Sequence, residues 1–311
     1  MALRLRSLAP LRTLVRLLLT AARSHSRHGC SLLAAAISYY VMFSLFPLII
    51  FAAGMAALVL RDPDLQRRAI DSILEALPLS PTEGRQDLEE LFRAISGPTS
   101  GGIGLLGLLG SAWSASNMLA AVRRSLDVVF EAQSRPLVRA KLTDFAAMAA
   151  LGLLLLASIA LSLSLSLAQR ALEGEGAAGI VMDVLLLALS YLLPLGVSLA
   201  AFLFLFAWVP AVRPSWRQAL PGAVVAALLF EAAKNVFGLY VRNFANFDVV
   251  FGSLGAVAAF LFWVYLSATI MLYGAEVVAA TRKEEEMALS LIHISEPTRL
   301  LSISYAVFCL K

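Results

Sequence analysis

The chain is 311 residues long, 60% hydrophobic and only 15% charged, with a mean hydropathy of +0.82. That composition excludes an ordinary water-soluble domain and matches a polytopic helical membrane protein, because several apolar stretches exceed the roughly 18 residues that a soluble fold rarely tolerates. The formal net charge of +4 is small, so its distribution carries more than its sum, and two cysteines, Cys30 and Cys309, give neither a disulfide framework nor a metal-ligand spacing.

Residues 1–30 carry Arg4, Arg6, Arg12, Arg16, Arg23 and Arg27 and no acid. Arg12, Arg16, Arg23 and Arg27 share one face at 100° per residue, opposite Leu11, Leu14 and Leu18. The spacing predicts a cytoplasmic amphipathic helix at the membrane surface, with the lipid bilayer and its anionic lipids as partners. A secretory signal fits less well, since Arg16 interrupts the apolar run and no clean cleavage site follows. A nucleic-acid arm also fits less well, because the segment leads straight into a membrane span; no nucleic acid partner is expected.

A membrane domain is expected over 31–288, with six spans at about 31–60, 101–122, 142–168, 180–209, 219–241 and 252–280. Pro47 and Pro194 fall inside the first and fourth and are expected to kink them. Between the first two spans, 61–100 holds eight acidic residues and five arginines. Its patterns Leu65/Ala69/Ile73/Leu77 and Leu88/Leu91/Phe92/Ile95, parted by Pro78 and Pro81, predict a helical pair outside the bilayer, either a solvated cap or a partner site. In the second span Gly110, Ser114, Asn117, Ala121 and Arg124 share a face, expected to let helix backbones approach closely. A basic connection follows at 123–141. Trp208 and Trp216 flank the end of the fourth span, as tryptophans do at the interface. With six spans, fifteen arginines and lysines lie on the amino-terminal side and seven on the other, so the positive-inside rule puts both termini in the cytoplasm. The predicted fold class is all-α: a polytopic membrane protein with six transmembrane helices, both termini cytoplasmic, and a short extracytoplasmic helical pair.

The last two spans form a hairpin whose apolar runs contain ionisable residues. Glu231 lies about 12 residues, or about 18 Å, into the fifth span, near mid-bilayer. Lys234, Asn235, Gly238 and Arg242 continue the same stripe, and Tyr265, Thr269, Tyr273 and Glu276 form a second on the sixth span. The two polar faces are expected to look at each other. A charge at the centre of a membrane helix costs about 2.5 to 3.5 kcal/mol on insertion scales and normally pairs or lines a water-filled cavity. Two readings stand: a solute or proton pathway through Glu231, Lys234, Asn235, Arg242, Glu276, Asn117, Tyr265 and Thr269, or a buried ion pair with polar glue between helices. On the first, spans two, five and six enclose the cavity and Glu276 sits near its cytoplasmic mouth.

Several stretches carry a resemblance. They are Tyr39-Tyr40 with Ser44-Leu-Phe-Pro, Trp113-Ser-Ala-Ser-Asn, Arg213-Pro-Ser-Trp-Arg-Gln-Ala-Leu-Pro-Gly, Glu231-Ala-Ala-Lys-Asn-Val-Phe-Gly-Leu-Tyr, Asn243-Phe-Ala-Asn, Phe251-Gly-Ser-Leu-Gly-Ala and Leu272-Tyr-Gly-Ala-Glu. In order and spacing the chain to about residue 286 resembles the YihY/virulence factor BrkB family of bacterial inner-membrane proteins, formerly labelled as a tRNA-processing ribonuclease. The resemblance implies a multi-pass inner-membrane protein without fixing a substrate, and the family's association with virulence and serum resistance suits a transporter or an envelope scaffold.

Residues 289–311 are expected to be non-native. From Leu289 to Arg299 and from Ile303 to Leu310 they match the in-frame translation of a common sequencing-library adapter, so His293 and Cys309 are set aside and the native carboxyl end is expected to be missing. The remaining histidines, His25 and His28, stand in the basic amino-terminal helix and are expected to be ordinary surface residues. No nucleophile elbow, phosphate loop or metal-ligand spacing is present, so neither an enzyme nor a cofactor is expected. The expected function is transport or permeation of a small or amphipathic solute, with a non-transporting envelope scaffold as the alternative and a ribonuclease last.

Overall fold

The computed structural model describes the backbone of residues 9–59, 101–133, 135–171, 177–244 and 253–308. Among these the regular structure is entirely helical: α1 Ala9–Arg27, α2 Cys30–Val59, α3 Gly101–Val129, α4 Leu137–Ala171, α5 Ala177–Trp208, α6 Trp216–Phe244 and α7 Ser253–Phe308. Side chains of α7 are described as far as Met287. The predicted cap over 61–100 lies outside the described residues.

Apolar length explains the helices. α4 over Leu137–Ser158, α6 over Trp216–Tyr240 and α7 over Val257–Met287 are long and apolar enough to cross a membrane, and α2 and α5 contain shorter apolar runs at Cys30–Ser44 and Leu192–Trp208. Pro47 and Pro194 lie inside α2 and α5, where neighbouring helices make an interrupted ladder tolerable. Among the described residues the fold is all-α, with three helices long and apolar enough to cross a membrane.

The boundaries follow local chemistry. α1 ends at Gly29, whose φ of 63° is the left-handed conformation that closes a helix without a Cβ clash. α3 runs to Val129, seven residues past its predicted span, and closes in the same way on Glu131, at φ 52°. There the Ala132 N–H donates to the Asp127 carbonyl at 2.8 Å and the Glu131 N–H to that of Val128 at 3.1 Å, the two bonds of a Schellman turn. α6 begins with a reciprocal cap: the Ser215 N–H donates to Gln218 Oε1 at 3.0 Å and the Gln218 N–H to Ser215 Oγ at 3.4 Å.

Packing closes α2 to α7 into a ring. Each helix contacts the next in sequence, and α7 returns to α2, while α3 also reaches α7. The core includes Phe206, Leu126, Leu272, Ala223 and Ala275, all fully or almost fully buried. α6 and α7 touch backbone to backbone. A Cβ on Gly274 would stand 2.7 Å from that of Ala226 and 2.9 Å from the Gly222 carbonyl, so only glycine fits.

Two expectations are corrected. The predicted small-residue face of α3 does not serve close packing at Gly110, which is exposed with nothing within 4 Å of a would-be Cβ. Ala121, on the same predicted face, is buried in the core, and on the opposite side Ala112, Ala115, Ser116 and Leu119 are buried as well. α1 exposes Arg16, Arg23 and Arg27 as expected but does more than lie at a surface. Ala21 is fully buried, and Tyr273 of α7 donates its hydroxyl to the Leu18 carbonyl at 3.1 Å.

Candidate functional site

Polar side chains gather in three places. The first is on α6, where the Glu231 carboxylate pairs with Lys234 Nζ at 2.5 Å and accepts the Ser198 hydroxyl of α5 at 2.7 Å. The i, i+3 spacing puts both ions on one helical face. Glu231 is 18% exposed and Lys234 44%, so the pair sits at the rim of the packed interior. Asn235 is exposed and donates Nδ2 to the Glu231 carbonyl at 2.8 Å. Gly238 continues this open face, and the Arg242 side chain lies outside the described residues.

The second cluster joins α1, α2, α3 and α7 at one end of the ring. Glu276 is 1% exposed and meets His28 Nδ1 at 2.6 Å and the Cys30 thiol at 3.5 Å. Across the same imidazole, Nε2 stands 3.7 Å from Glu131, which Lys283 contacts at 2.8 Å. His28 thus stands between a surface carboxylate, Glu131, and a buried one, Glu276. The Lys283 ammonium holds the Glu131 carboxyl below its ordinary range. His25, edge-on to Tyr273 with its ring centroid 6.2 Å away, buries an Nδ1 that has no hydrogen-bond partner. Burial pushes its pKa down, against the pull of Glu276.

The third cluster pins α3, α4 and the α5–α6 connection together. Arg123 donates to both oxygens of Asp144 at 2.7 and 3.3 Å and lies 3.6 Å from Asp127. Arg123, Asp127 and Asp144 are all buried, which makes a fork-to-carboxylate geometry necessary to offset desolvation. Asp127 also accepts the Ala211 N–H at 2.7 Å, and burial raises its pKa despite that bond and the nearby Arg123. Lys141 reaches Ser116 at 2.8 Å and Asn117 at 2.9 Å beneath the Trp113 ring.

The residues read from the sequence are therefore distributed. Glu231, Lys234 and Asn235 stay together; Glu276 joins His28; Asn117 joins Lys141; Thr269 returns its hydroxyl to the Tyr265 carbonyl at 2.8 Å. The two polar stripes do not look at each other. Phe230 and Phe237 meet Trp263 at 5.6 and 5.0 Å and, with the glycines, fill the α6–α7 seam, which turns Glu231 toward α5 and Tyr273 and Glu276 toward α1 and α2. α3 and α6, expected to share a cavity, are not neighbours in the ring. His28 is a half-buried partner of Glu276 rather than a surface residue. Sequence reasoning missed it, along with the Arg123–Asp144 pair; the one local signal was the i, i+4 spacing of Arg123 and Asp127. Among the described residues no group of three or more His, Cys, Asp and Glu side chains is placed to hold a metal ion.

A family model described as Virulence factor BrkB matches residues 21–291. The chain belongs to the BrkB family. Relatives of this BrkB family member include a UPF0761 membrane protein of Alkalilimnicola ehrlichii, 34% identical over 87% of this chain and 59% of the relative. Another, from Rhodospirillum centenum, is 30% identical over 79% of this chain and 53% of the relative. A Bacillus subtilis protein named as ribonuclease-like, YfkH, is 26% identical over 82% of this chain and 90% of its own length. The chain thus spans somewhat more than half the length of the first two. No solved structure matches it.

Proposed function

We propose that this BrkB family protein moves a small or amphipathic solute across the bacterial inner membrane, through a polar site centred on Glu231. The observation that carries the reading is the ion pair of Glu231 and Lys234, joined by Ser198, about midway along α6 and open on its Asn235 side. A charge pair at that depth is costly unless water or a ligand reaches it. A groove of about 590 Å³ on the same helix, lined by Val236, Phe237, Tyr240, Phe262 and Leu266, suits the apolar part of an amphipathic solute. We further propose six spans, α2 to α7, with both ends of the chain in the cytoplasm, an orientation that the distribution of arginine and lysine supports.

Water access decides the matter. With Cys30→Ser and Asn235→Cys introduced, a membrane-impermeant thiol reagent applied to sealed vesicles of both orientations is expected to label position 235. No labelling, while a loop cysteine reacts normally, overturns the pathway. The second reading is an envelope scaffold with dry helix packing. It is favoured by the α6–α7 seam, where stacked aromatic rings and apposed glycines pack closely. Loss of solute flux in Glu231→Gln with Lys234→Gln, in protein that still folds, separates the two.

A further inference from the structure

A cavity of about 410 Å³ opens where the start of α4 meets the α5–α6 connection, and three guanidinium groups, Arg135, Arg139 and Arg213, line it with Thr143 and Leu142. Among the described residues no carboxylate lines it. The nearest acids are engaged elsewhere: Asp144 by Arg123, and Asp127 by Arg123 and the Ala211 N–H. Arg135 is held in place by donating to the Pro210 carbonyl and, at 3.0 Å, to Thr143 Oγ1. Arg213 lies 5.7 Å over the Trp208 ring. Neither Arg139 nor Arg213 has a carboxylate partner among the described residues, whereas Arg123, Arg282 and Lys283 each have one. Burial first, and then the neighbouring Arg213, depress the Arg135 pKa, against the pull of Asp127 and Asp144. Three like charges converging with no carboxylate in hydrogen-bond contact repel one another, an effect that Asp127 and Asp144 offset only from a distance, and a bound anion relieves the remainder.

We propose that this pocket binds the phosphate of an anionic phospholipid. Guanidinium forks match phosphate oxygens in pairs, which an ammonium does not. The lipid, rather than a free anion, is indicated by what lies beside the pocket. Leu137 and Val138 are each 82% exposed and Leu142 69%, at the start of an apolar run, Leu137–Ser158, long enough to cross a membrane. A headgroup held by the arginines leaves its acyl chain against these side chains as they descend into hydrocarbon, the usual setting of basic lipid pockets at helix ends. The site is distinct from the diffuse positive face of α1 and from the Glu231 pair.

The test uses the full chain in nanodiscs of phosphatidylcholine with and without phosphatidylglycerol, and counts lipids retained on release by native mass spectrometry. Wild type is expected to retain phosphatidylglycerol in preference. Arg139→Gln with Arg213→Gln is expected to reduce that preference about tenfold or more, since two charge-assisted contacts to the phosphate are lost. Arg16→Gln with Arg23→Gln on α1 is expected to leave it intact. If the glutamine pair does not fold, Arg139→Lys with Arg213→Lys keeps the charge, loses the fork and still lowers retention. Equal retention of the two lipids, a preference unchanged by both pocket variants, or a preference lost only with the α1 variant overturns the proposal. Displacement of the retained lipid by inorganic phosphate alone assigns a free-anion site and overturns the lipid assignment.

Discussion

Glu131 has a left-handed backbone in which a Cβ costs roughly 1 to 2 kcal/mol. Its carboxylate ties Lys283 to the His28 imidazole from that position. Replacing it tests both roles. Glu131→Ala and Glu131→Gly lose the same ion pair, but the glycine variant is expected to melt higher in detergent, by the equivalent of about 1 kcal/mol. Equal melting temperatures would falsify the strain account. Protons act here too. His25 has a pKa below its ordinary 6.5, so the stability it contributes is present above that value and is lost as pH falls through the folded value. Glu131, whose pKa is also lowered, keeps its contribution until pH falls further, below the ordinary carboxylate range. Acidification from about pH 7 to about pH 5 is therefore expected to loosen α1 first, read as proteolysis within 9–27 while the ring persists. Cleavage independent of pH over that interval counts against it. Neither residue was legible as structural in the sequence. His28 and Glu276 are 248 positions apart, and no local pattern announces a contact at that separation.

At the scale of elements, the Arg123–Asp144 pair is the firmest joint between α3 and α4. Removing one partner leaves a buried charge, so Asp144→Ala is expected to destabilise by about 3 to 5 kcal/mol. The double change Arg123→Met with Asp144→Leu is expected to cost less than the two single changes summed, because each removes the ion the other would leave unpaired, while buried Asp127 loses Arg123 in both the single and the double change. Denaturation of the three variants in one detergent gives the comparison, and additive losses would contradict it. Gly274→Ala acts by overpacking: its methyl meets the Ala226 methyl and the Gly222 carbonyl, for an expected loss of about 1 to 3 kcal/mol. The existence of these helices was readable from hydrophobic length alone. Their working faces were not. On α3 several small residues compete for the contact, and on α6 the bulky aromatic residues took the seam, with the conspicuous Glu231 stripe left on the other side.

For the whole molecule, the class was legible because composition and run length decide whether a chain belongs in lipid. The ring order was not, since it depends on which faces meet after insertion. The proposed orientation has a direct check. A reporter active only outside the cytoplasm is expected to give signal when joined within 61–100 and none when joined after Ala288. The opposite pattern reverses the orientation and with it the side on which the three-arginine pocket meets lipid.

The ties from α1 to α7 bear on the order in which the molecule is made. Leu18 and His28 emerge early from the ribosome, while Tyr273, Glu276 and Lys283 emerge among the last of the ring. Throughout synthesis, then, the amino-terminal helix has no permanent seat, and its free arginines can hold it to the lipid surface while the spans enter one after another. Arrival of α7 gives His28 Nδ1 and Cys30 the buried carboxylate of Glu276. A chain stopped before Tyr273 keeps several of its spans but lacks the α7 contacts that seat α1.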